Sequence, residues 1–381
     1  MFIFKRKIFG FMDLLRFKNM IPKRRKALEE GSSKPLPKSY RVNETARVLH
    51  PGYQNAKIVS VKEETADMKT LVFETERPLY FRAGQYVTLS AQIGESFVSR
   101  PYAISSAPAA ALERKVCITV KKEGFFSGYL VDDAKAGDVL LMGDPSGDFC
   151  YDGVRDSKTV VGVAGGSGIT PFYALAQAIA DGTEECSLVL FYGARTEKDI
   201  AFKSELDALC GEKIKVVYVL SDEVKEGYES GFVSAALMKK YVSGDFTLMA
   251  CGPQAMYNFL DGEAEKMGLT RRRFRKEAGC VGVRDCKPAA YTLTVHIGFE
   301  RYTVKADARE TVLVALERAG LRVPSKCRAG ECGFCHSRLI SGKFTIAGED
   351  KRRLADEKFG YFHPCCSYPD SDMEIEVPKL K

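Results

Sequence analysis

The sequence predicts a multidomain protein in which an antiparallel β-barrel is followed by an α/β domain with a parallel sheet and then by a small α+β domain of the β-grasp type. Three observations predict this order. Short strand-like runs separated by turns begin near Gln54, strands alternate with helices from about Ser157, and four cysteines near the carboxyl end follow the pattern Cys-x4-Cys-x2-Cys…Cys. The expected divisions are an extension and linker over 1–53, the barrel over 54–153, the α/β domain over 154–275, a second linker over 276–290 and the β-grasp domain over 291–381.

Length and composition suit two or three domains with ample core. The chain has 381 residues, 45% of them hydrophobic, and no apolar run long enough to cross a membrane. The net charge of +7 is concentrated at the amino end, where residues 1–30 carry nine Lys or Arg against three acids. A terminal run of this kind does not indicate nucleic-acid binding.

The first fifty residues carry the weakest pattern. Apolar residues interleaved with Lys and Arg over residues 1–26 allow a basic amphipathic helix on an anionic membrane surface. Asp13 and Arg16 interrupt the apolar run, and no small-residue cleavage site follows, which argues against a signal peptide. The alternatives are an extension that packs on its own domains or stays disordered, and a docking element for a partner. Gly31 to Pro37 has the composition of a linker.

Two stretches of the barrel region combine aromatic residues with phosphate-binding residues. Arg100 can pair with a phosphate as a planar fork, and Tyr102, two residues further on, faces the same side of a strand and can stack on a flat ring. Gly124 and Ser127 stand at the start of an expected helix and supply backbone and hydroxyl donors. A flavin needs both features. The clearest strands around them are Ala56 to Val61, Met68 to Glu74, Tyr86 to Ala91 and Val116 to Lys121.

The barrel resembles the ferredoxin reductase superfamily, whose flavin motif reads Arg-x-Tyr-Ser/Thr and is matched here by Arg100-Pro101-Tyr102-Ala103. Ala103 departs from the family, which usually has a hydroxyl near the flavin N5, so that a backbone N–H or Ser105 would serve N5 here. The match of Gly124 and Ser127 to the pyrophosphate turn of FAD-type members implies FAD rather than FMN. The alternative is that Arg100-Pro-Tyr is an ordinary strand edge.

A glycine-rich turn opens the α/β domain. A buried strand, Thr159 to Ala164, runs into this turn and then into a helix, and glycines at such a junction let the backbone approach a pyrophosphate whose charge the helix N-terminus favours. Alone this signal is weak. The turn reads Gly165-Gly166-Ser-Gly168-Ile-Thr170-Pro171.

Two later stretches, Leu188 to Arg195 and Phe246 to Met256, are similar to the pyridine-nucleotide motifs of the same superfamily in order and spacing. The resemblance implies that Thr170 and Pro171 border the nicotinamide. It also implies that Cys251, Gly252 and Pro253 lie beneath it. Cys251 alone would be an ordinary small core residue, and its role comes from the motif.

The choice of nucleotide rests on the residues after the expected strand Val216 to Ser221. Members that use NADPH tend to place Arg or Lys there, whereas this chain has Asp222 followed by Glu223. A carboxylate accepts a hydrogen bond from a ribose 2′-OH and repels a 2′-phosphate, which favours NADH. Arg195 and Lys198 lie on a neighbouring loop and leave NADPH open.

The cysteine spacing is that of a plant-type [2Fe-2S] cluster, with 29 residues between the third and the fourth cysteine. Gly330 and Gly333 fall inside the loop, where the backbone must curl so that its N–H groups point at sulfur. A structural zinc site is the alternative, although zinc knuckles usually come as two Cys-x2-Cys pairs. The expected ligands are Cys327, Cys332, Cys335 and Cys365.

The last ninety residues as a whole resemble a plant-type ferredoxin domain. The pattern predicts a hairpin from Tyr291 to His296 and Arg301 to Val304, a helix from Glu310 to Ala319, and a closing strand from Met373 to Val377. By that resemblance Cys365 is the ligand and Cys366 its packed neighbour. A labile cluster needs a reducing compartment, and we therefore expect a cytoplasmic location.

The order flavin, nucleotide, ferredoxin over residues 54–381 is that of single-chain reductases that feed oxygenases and related acceptors. The resemblance implies that NAD(P)H gives hydride to the flavin, and that single electrons then pass through the cluster to a partner protein, with Tyr102 and Cys251 beside the reacting rings. Two alternatives remain. One is an electron-transfer subunit of a larger flavin dehydrogenase complex, whose family has a shorter gap before its fourth cysteine, and the other is a non-catalytic redox-sensing module.

Overall fold

The computed structural model describes residues 15–31 except 17 and 28, residues 40–50, and residues 52–380 except 278. The chain divides into two units, Met1–Ala46 and Arg47–Lys381. The described residues between 15 and 27 are helical and exposed, whereas residues 1–14 of the expected amphipathic helix and most of the expected linker lie outside the described residues. A helix that the sequence did not predict, α1 (Arg41–Leu49), follows and has no buried residue.

The first sheet is an antiparallel barrel of six strands. Their order is β4-β3-β6-β1-β2-β5, and a bridge between Ile104, just after β4, and Ile118 in β5 joins the two edges. The four strands expected in this region are present, each somewhat longer than predicted. In chain order the strands are β1 (Gln54–Thr65), β2 (Met68–Thr75), β3 (Tyr86–Ile93), β4 (Ser96–Ala103), β5 (Lys115–Lys121) and β6 (Val139–Met142).

Alternation of apolar and polar residues builds this barrel. In β1, Ala56 and Ile58 are buried while Lys57 between them is exposed, which is the period-two pattern of a strand with one face on a core. Two short helices, α2 (Pro108–Leu112) and α3 (Phe125–Asp132), follow β4 and β5. Helix α3 buries Phe126, Leu130 and Val131 against the barrel core, so that its first residues lie close to the end of β4.

The second sheet is parallel and has six strands in the order β10-β9-β8-β7-β11-β12. Its strands are β7 (Thr159–Gly165), β8 (Ser187–Ala194), β9 (Ile214–Leu220), β10 (Glu229–Ser230), β11 (Thr247–Cys251) and β12 (Phe274–Lys276). The helices between them are α4 (Thr170–Ala180), α5 (Lys203–Leu209), α6 (Ala235–Tyr241) and α7 (Gln254–Lys266).

Both faces of the parallel sheet are covered, which explains why a strand such as β7 is apolar almost throughout. Helices α4 and α5 pack on one face, where Phe149 and Tyr151 from the end of the barrel region join the same core. Helices α6 and α7 pack on the other face. The barrel and the parallel sheet therefore share part of one core.

The third sheet has five strands in the order β14-β13-β19-β15-β17, and a two-stranded sheet pairs β16 with β18. The predicted hairpin and closing strand are present, since β13 pairs antiparallel with β14 and parallel with β19. Helix α8 (Val312–Arg318) packs on this sheet and also contacts β4 of the barrel. The strands are β13 (Ala290–Ile297), β14 (Glu300–Asp307), β15 (Ser337–Ser341), β16 (Phe344–Ile346), β17 (Tyr361–Phe362), β18 (Ser367–Pro369) and β19 (Met373–Glu376), with helix α9 (Leu354–Lys358) between β16 and β17.

The described residues between β12 and β13, which fall within the expected second linker, form neither helix nor strand. Among the helices of the described residues, none is both long and apolar enough to cross a bilayer.

Candidate active site

One cleft of about 1120 Å³ opens where the barrel, the parallel sheet and the five-stranded sheet meet. A single small-molecule site usually occupies about 300–1,000 Å³, so this cleft has room for a large cofactor together with part of a second ligand. Seven Lys or Arg and five Asp or Glu line it, which gives the wall a small excess of positive charge suited to a diphosphate. Its lining includes Arg100, Tyr102, Gly124, Cys251, Glu277 and Cys332.

The end of β4 supplies the aromatic wall of the cleft. Arg100 and Tyr102 lie on the same face of the strand because side chains alternate along it, and both line the cleft together with Pro101 and Ala103. The Tyr102 ring packs against Phe126 of α3, with 6.1 Å between the ring centroids. Burial raises the pKa of the Tyr102 phenol, so the side chain stays neutral and offers an apolar ring face.

Arg100 has a partner that the sequence did not predict. Its Nη1 donates to Glu317 Oε2 at 2.8 Å and to the Ser99 carbonyl oxygen at 2.7 Å. Among the described residues, Nε and Nη2 of Arg100 have no hydrogen-bond partner. The expectation that the whole guanidinium serves a phosphate is therefore corrected, because α8 of the next domain places a carboxylate beside one arm of the fork.

The turn before α3 lines the cleft through Gly124 and Ser127. The Ser127 hydroxyl accepts hydrogen bonds from the Glu123 and Gly124 backbone N–H groups, at 3.0 and 2.8 Å. The next N–H groups of the first helical turn have no intrahelical acceptor, and the cleft is where a ligand can meet them. Ser127 thus organises the turn, and the backbone rather than its hydroxyl remains for an anion.

Ser105, one of the two groups expected beside the flavin N5, does not line the cleft. Its hydroxyl is buried in the barrel and accepts a hydrogen bond from the Thr119 hydroxyl at 2.9 Å. Thr119 lines the cleft, on the neighbouring strand β5. Sequence spacing missed Thr119, because only the closed barrel brings β5 beside the end of β4.

The glycine-rich turn has a packing role that the sequence did not predict, and its three glycines do not line the cleft. A Cβ on Gly168 would lie 1.9 Å from the Cys251 carbonyl oxygen, and a Cβ on Gly165 would lie 3.0 Å from Pro253. Gly166 has a φ of +54°, in the left-handed region. The glycines therefore let the turn after β7 approach the segment after β11, and they join the two motifs expected around the nicotinamide.

The two nicotinamide-side motifs present different residues to the cleft. Thr170 and Cys251 line it, whereas Pro171 is buried in the first turn of α4. The Gly252 backbone N–H donates to the Tyr257 hydroxyl at 3.1 Å, which fixes the segment after β11. Burial raises the pKa of the Cys251 thiol, so the group is held neutral and suits a small packing position more than a nucleophile.

The candidate ribose residues are brought together at the carboxyl edge of the parallel sheet. The Asp222 backbone N–H donates to the Arg195 carbonyl oxygen at 3.0 Å, and the Ser221 hydroxyl donates to the Asp222 carboxylate at 2.7 Å. Both Asp222 and Arg195 are exposed. They lie outside the carboxyl ends of the strands, which is where parallel sheets bind nucleotides.

Three of the four expected cluster ligands are buried, and the fourth, Cys332, is exposed. Cys332 and the buried Cys327 both line the cleft. The Ala329 and Cys332 backbone N–H groups donate to Cys327 Sγ at 3.4 Å, and that of Phe334 donates to Cys332 Sγ at 3.5 Å. N–H groups aimed at sulfur are the arrangement that a thiolate-bound cluster requires. No group of three or more His, Cys, Asp or Glu among the described residues is arranged around a single metal ion.

Cys365 and Cys366 take different places. The Cys365 thiol contacts those of Cys327, Cys335 and Cys366, whereas the Cys366 thiol also donates to the His363 carbonyl oxygen at 3.5 Å. A Cβ on Gly330 would lie 2.7 Å from Cys366 Sγ, so Cys366 packs beneath the loop. This geometry supports Cys365 as the ligand.

Glu277 was missed by the sequence reasoning. It follows β12 directly, lines the cleft, and donates its backbone N–H to the Ala250 carbonyl oxygen at 2.9 Å. Burial, with smaller contributions from Glu331 and Asp148, raises the pKa of its carboxyl to about 8. The sequence signal for Glu277 was an acid after β12, the last strand of the parallel sheet in chain order. That strand has three residues and is too short to recognise from the sequence.

Three family models match the chain in the order of its three sheets. The Oxidoreductase FAD-binding domain matches residues 55–151, the Oxidoreductase NAD-binding domain residues 163–261, and the 2Fe-2S iron-sulfur cluster binding domain residues 295–370. The chain belongs to the ferredoxin reductase superfamily. The domain match also decides between the two metal centres considered, in favour of the [2Fe-2S] cluster over zinc.

Curated relatives share this layout along nearly their whole length. The glycine betaine monooxygenase reductase subunit of Chromohalobacter salexigens is 26% identical over 87% of this chain and 97% of its own. The NADH oxidoreductase HCR of Escherichia coli is 28% identical over 83% and 95%. The 3-ketosteroid-9-alpha-monooxygenase ferredoxin reductase component of Rhodococcus rhodochrous is 28% identical over 84% and 95%.

Among solved structures, phthalate dioxygenase reductase aligns with a TM-score of 0.63 at 24% identity, covering 87% of this chain and 98% of that one. This likeness shows the fold, and it includes all three sheets. Together the domains make this superfamily member an NAD(P)H-dependent oxidoreductase that passes electrons through FAD to a [2Fe-2S] cluster and on to a partner protein.

Proposed function

We propose that the protein is the reductase component of an oxygenase system, and that it takes hydride from NADH and delivers single electrons to an oxygenase. The observation that carries the proposal is the single cleft, which is lined by the flavin-motif residue Tyr102, the nucleotide-motif residue Cys251 and the cluster-loop residue Cys332. Two of the three relatives above are named as reductase parts of monooxygenases. Both align with this chain over nearly their full length.

The residues of the cleft fit the groups that this activity needs. A bound flavin would accept hydride and release electrons one at a time. Tyr102 provides a flat neutral wall for such a ring, and the N–H groups of the first turn of α3 would be available to its diphosphate. The free arm of Arg100, Nε and Nη2, is one cation that would be available to the same diphosphate.

The nucleotide side of the cleft would orient a dihydropyridine ring. Thr170 lies at the start of α4, and its hydroxyl donates to the Ser167 carbonyl oxygen at 3.0 Å, which holds the turn. Cys251 closes the floor as a neutral thiol. Phe149 and Tyr86 fill the wall between the barrel and the parallel sheet, and they limit the access of water to the reacting atoms.

We further propose that NADH is the physiological donor. The exposed Asp222 carboxylate beside the Arg195 backbone offers an acceptor to a ribose 2′-OH and repels a 2′-phosphate.

The amino-terminal segment is proposed to place the protein at an anionic membrane surface within the cytoplasm. The support is the sequence of residues 1–26, rich in Lys, Arg and large apolar side chains. Flotation with vesicles containing anionic phospholipid tests this: the full chain should float, and a variant lacking residues 1–26 should not. Equal flotation of the two proteins would contradict the proposal.

The acceptor is tested by reaction with a purified oxygenase captured by cross-linking from the native cell. NADH should drive substrate hydroxylation when the chain and that oxygenase are combined. The Cys332→Ala variant should still reduce a dye with NADH but should not support hydroxylation. Transfer to a flavodoxin-like carrier or to a larger dehydrogenase, with none to the oxygenase, would contradict the proposal.

A further inference from the structure

A buried carboxylate joins the barrel to the ferredoxin domain. The side chain of Glu317, on α8, is only 4% exposed. It accepts hydrogen bonds from the Ser99 backbone N–H at 3.1 Å, the Ser99 hydroxyl at 2.7 Å, Arg100 Nη1 at 2.8 Å and Arg328 Nη1 at 2.8 Å. The hydroxyls of Ser99 and Ser325 are also bonded, at 2.8 Å. The acceptors of this carboxylate are therefore filled from two domains.

The two arginines in this network belong to the two redox sites. Arg100 opens the flavin motif, and Arg328 directly follows the cluster ligand Cys327 in the loop. Both line the cleft. Arg328 is buried and has a φ of +54°, an uncommon conformation for a residue with a side chain, which its neighbours must hold in place. Glu317 is the group that bonds to both guanidinium groups.

Other contacts across this interface are simpler. The Ser96 hydroxyl donates to the Arg318 carbonyl oxygen at 3.4 Å, and the Arg322 guanidinium lies 4.8 Å from the centroid of the Phe97 ring. These contacts can hold the domains together, but neither connects the flavin motif to the cluster loop. Lys326, beside Cys327, donates to the Ser146 hydroxyl at 3.2 Å and ties the loop to the barrel outside the flavin motif. A buried charge with two counter-charges has one well-defined arrangement, and disturbing it leaves uncompensated charge in the interface.

We propose that Glu317 is a positioning residue that fixes the cluster loop relative to the flavin motif and thereby sets the rate of electron transfer from flavin to cluster. The inference rests on the electron path described above. Glu317 does not touch a cofactor site itself and acts through Arg100 and Arg328. Small displacements of reacting groups are known to lower rates by up to about a hundredfold, so the effect of losing this carboxylate should be large.

Glu317→Gln tests the proposal, because it keeps the shape of the side chain and removes the charge shared by the two arginines. Anaerobic stopped-flow spectroscopy with NADH separates flavin reduction from cluster reduction in the full-length holoprotein. We expect flavin reduction and NADH-to-ferricyanide activity at wild-type rates, and cluster reduction slowed by about tenfold or more. The visible circular dichroism of the cluster should also change, since Arg328 adjoins Cys327.

The matched control is Glu374→Gln, which neutralises a partly exposed carboxylate that bonds to His296 in the same domain. It should leave cluster reduction at the wild-type rate. If Glu317→Gln purifies without its flavin or its two irons, Ser99→Ala decides, because it removes two bonds of the network and leaves its three charged side chains. Cluster reduction at the wild-type rate in Glu317→Gln, or in Ser99→Ala where that variant is needed, would overturn the proposal. A wild-type cluster that NADH cannot reduce would instead overturn the electron path.

Discussion

The cluster loop and the ribose edge belong to the two ends of the proposed electron path, and the chain constrains them to different degrees. In the loop, Cys327 is buried and receives two backbone N–H groups, and a side chain on Gly330 would collide with Cys366. At the ribose edge, the side chains of Arg195 and Asp222 are exposed and only their backbones are bonded to each other. Replacing a cysteine ligand in the loop should therefore abolish cluster binding. Substitutions at the ribose edge should change the nucleotide preference only by a limited amount.

The largest effect is expected at the loop. Cys332→Ala removes one of four thiolate ligands, so iron should fall from two per chain to near zero while NADH-to-dye transfer through the flavin persists. Iron analysis and steady-state dye reduction check this. Cys366→Ala is the control, because its thiol packs beneath the loop and the variant should keep its iron. A Cys332→Ala protein with full iron, or one that no longer reduces its flavin, would contradict the assignment.

The second effect concerns the nucleotide turn, which resembles the loop in being tightly packed. Gly168→Ala should lower the free energy of unfolding by at least about 1–3 kcal/mol, because its Cβ would lie 1.9 Å from the Cys251 carbonyl oxygen. The KM for NADH should rise as the two motifs separate. Thermal unfolding and steady-state kinetics measure both.

The control for that turn is Gly262→Ala, in helix α7 of the same domain, whose Cβ would meet nothing within 4 Å. It should raise the free energy of unfolding by up to about 1 kcal/mol. Equal free energies of unfolding for the Gly168→Ala and Gly262→Ala variants would contradict the prediction, because they would show that the turn accommodates a Cβ without loss of stability.

The third effect is a pH dependence of stability that arises from Glu277. This residue lies on the cleft, between the cluster loop and the ribose edge. Its pKa is raised from the ordinary 4.5 to about 8, so the folded protein favours the protonated carboxyl. The wild type should therefore lose stability relative to Glu277→Gln as pH rises through this window, by on the order of 1 kcal/mol since the side chain is partly exposed. Chemical unfolding of the flavin-free protein at the two ends of the window measures the difference, and a pH-independent difference would contradict the assignment.

The smallest effect is expected at the ribose edge. Asp222→Arg should raise kcat/KM for NADPH and lower it for NADH, with a combined switch of about 1–3 kcal/mol. Glu212→Arg is the control, because it places the same charge before the amino end of β9, whereas Asp222 follows the carboxyl end of that strand. A wild type that prefers NADPH, or an unchanged preference in Asp222→Arg, would show that Arg195 or another group reads the ribose.

The same contrast explains what the sequence could predict. Four thiolates at fixed spacing and a glycine turn between a buried strand and a helix are dictated by local chemistry. Local patterns of this kind predicted the cluster, the three sheets and part of the cleft lining. Thr119 and Glu277 could not be predicted, because they reach the cleft only through barrel closure and a three-residue strand. Ser105 was misplaced for the same reason, since its hydroxyl turns into the barrel toward Thr119.

Contacts between domains were the least predictable. The bond from Arg100 to Glu317 joins residues that are 217 positions apart, and nothing in the local sequence of either indicates the other. The expectation for Arg100 was therefore incomplete, although its position on the cleft was as the motif implied.

The central claim is that one cleft carries electrons from NADH through the flavin to the cluster, and an anaerobic single-turnover experiment tests it most directly. Protein containing one flavin and two irons per chain is mixed with one equivalent of NADH, and the flavin and cluster absorbances are followed together. The account predicts that the flavin bleaches first and that the cluster bleaches as the flavin partly reoxidises. A flavin that stays reduced beside an oxidised cluster, or a protein that neither NADH nor NADPH reduces, would contradict it.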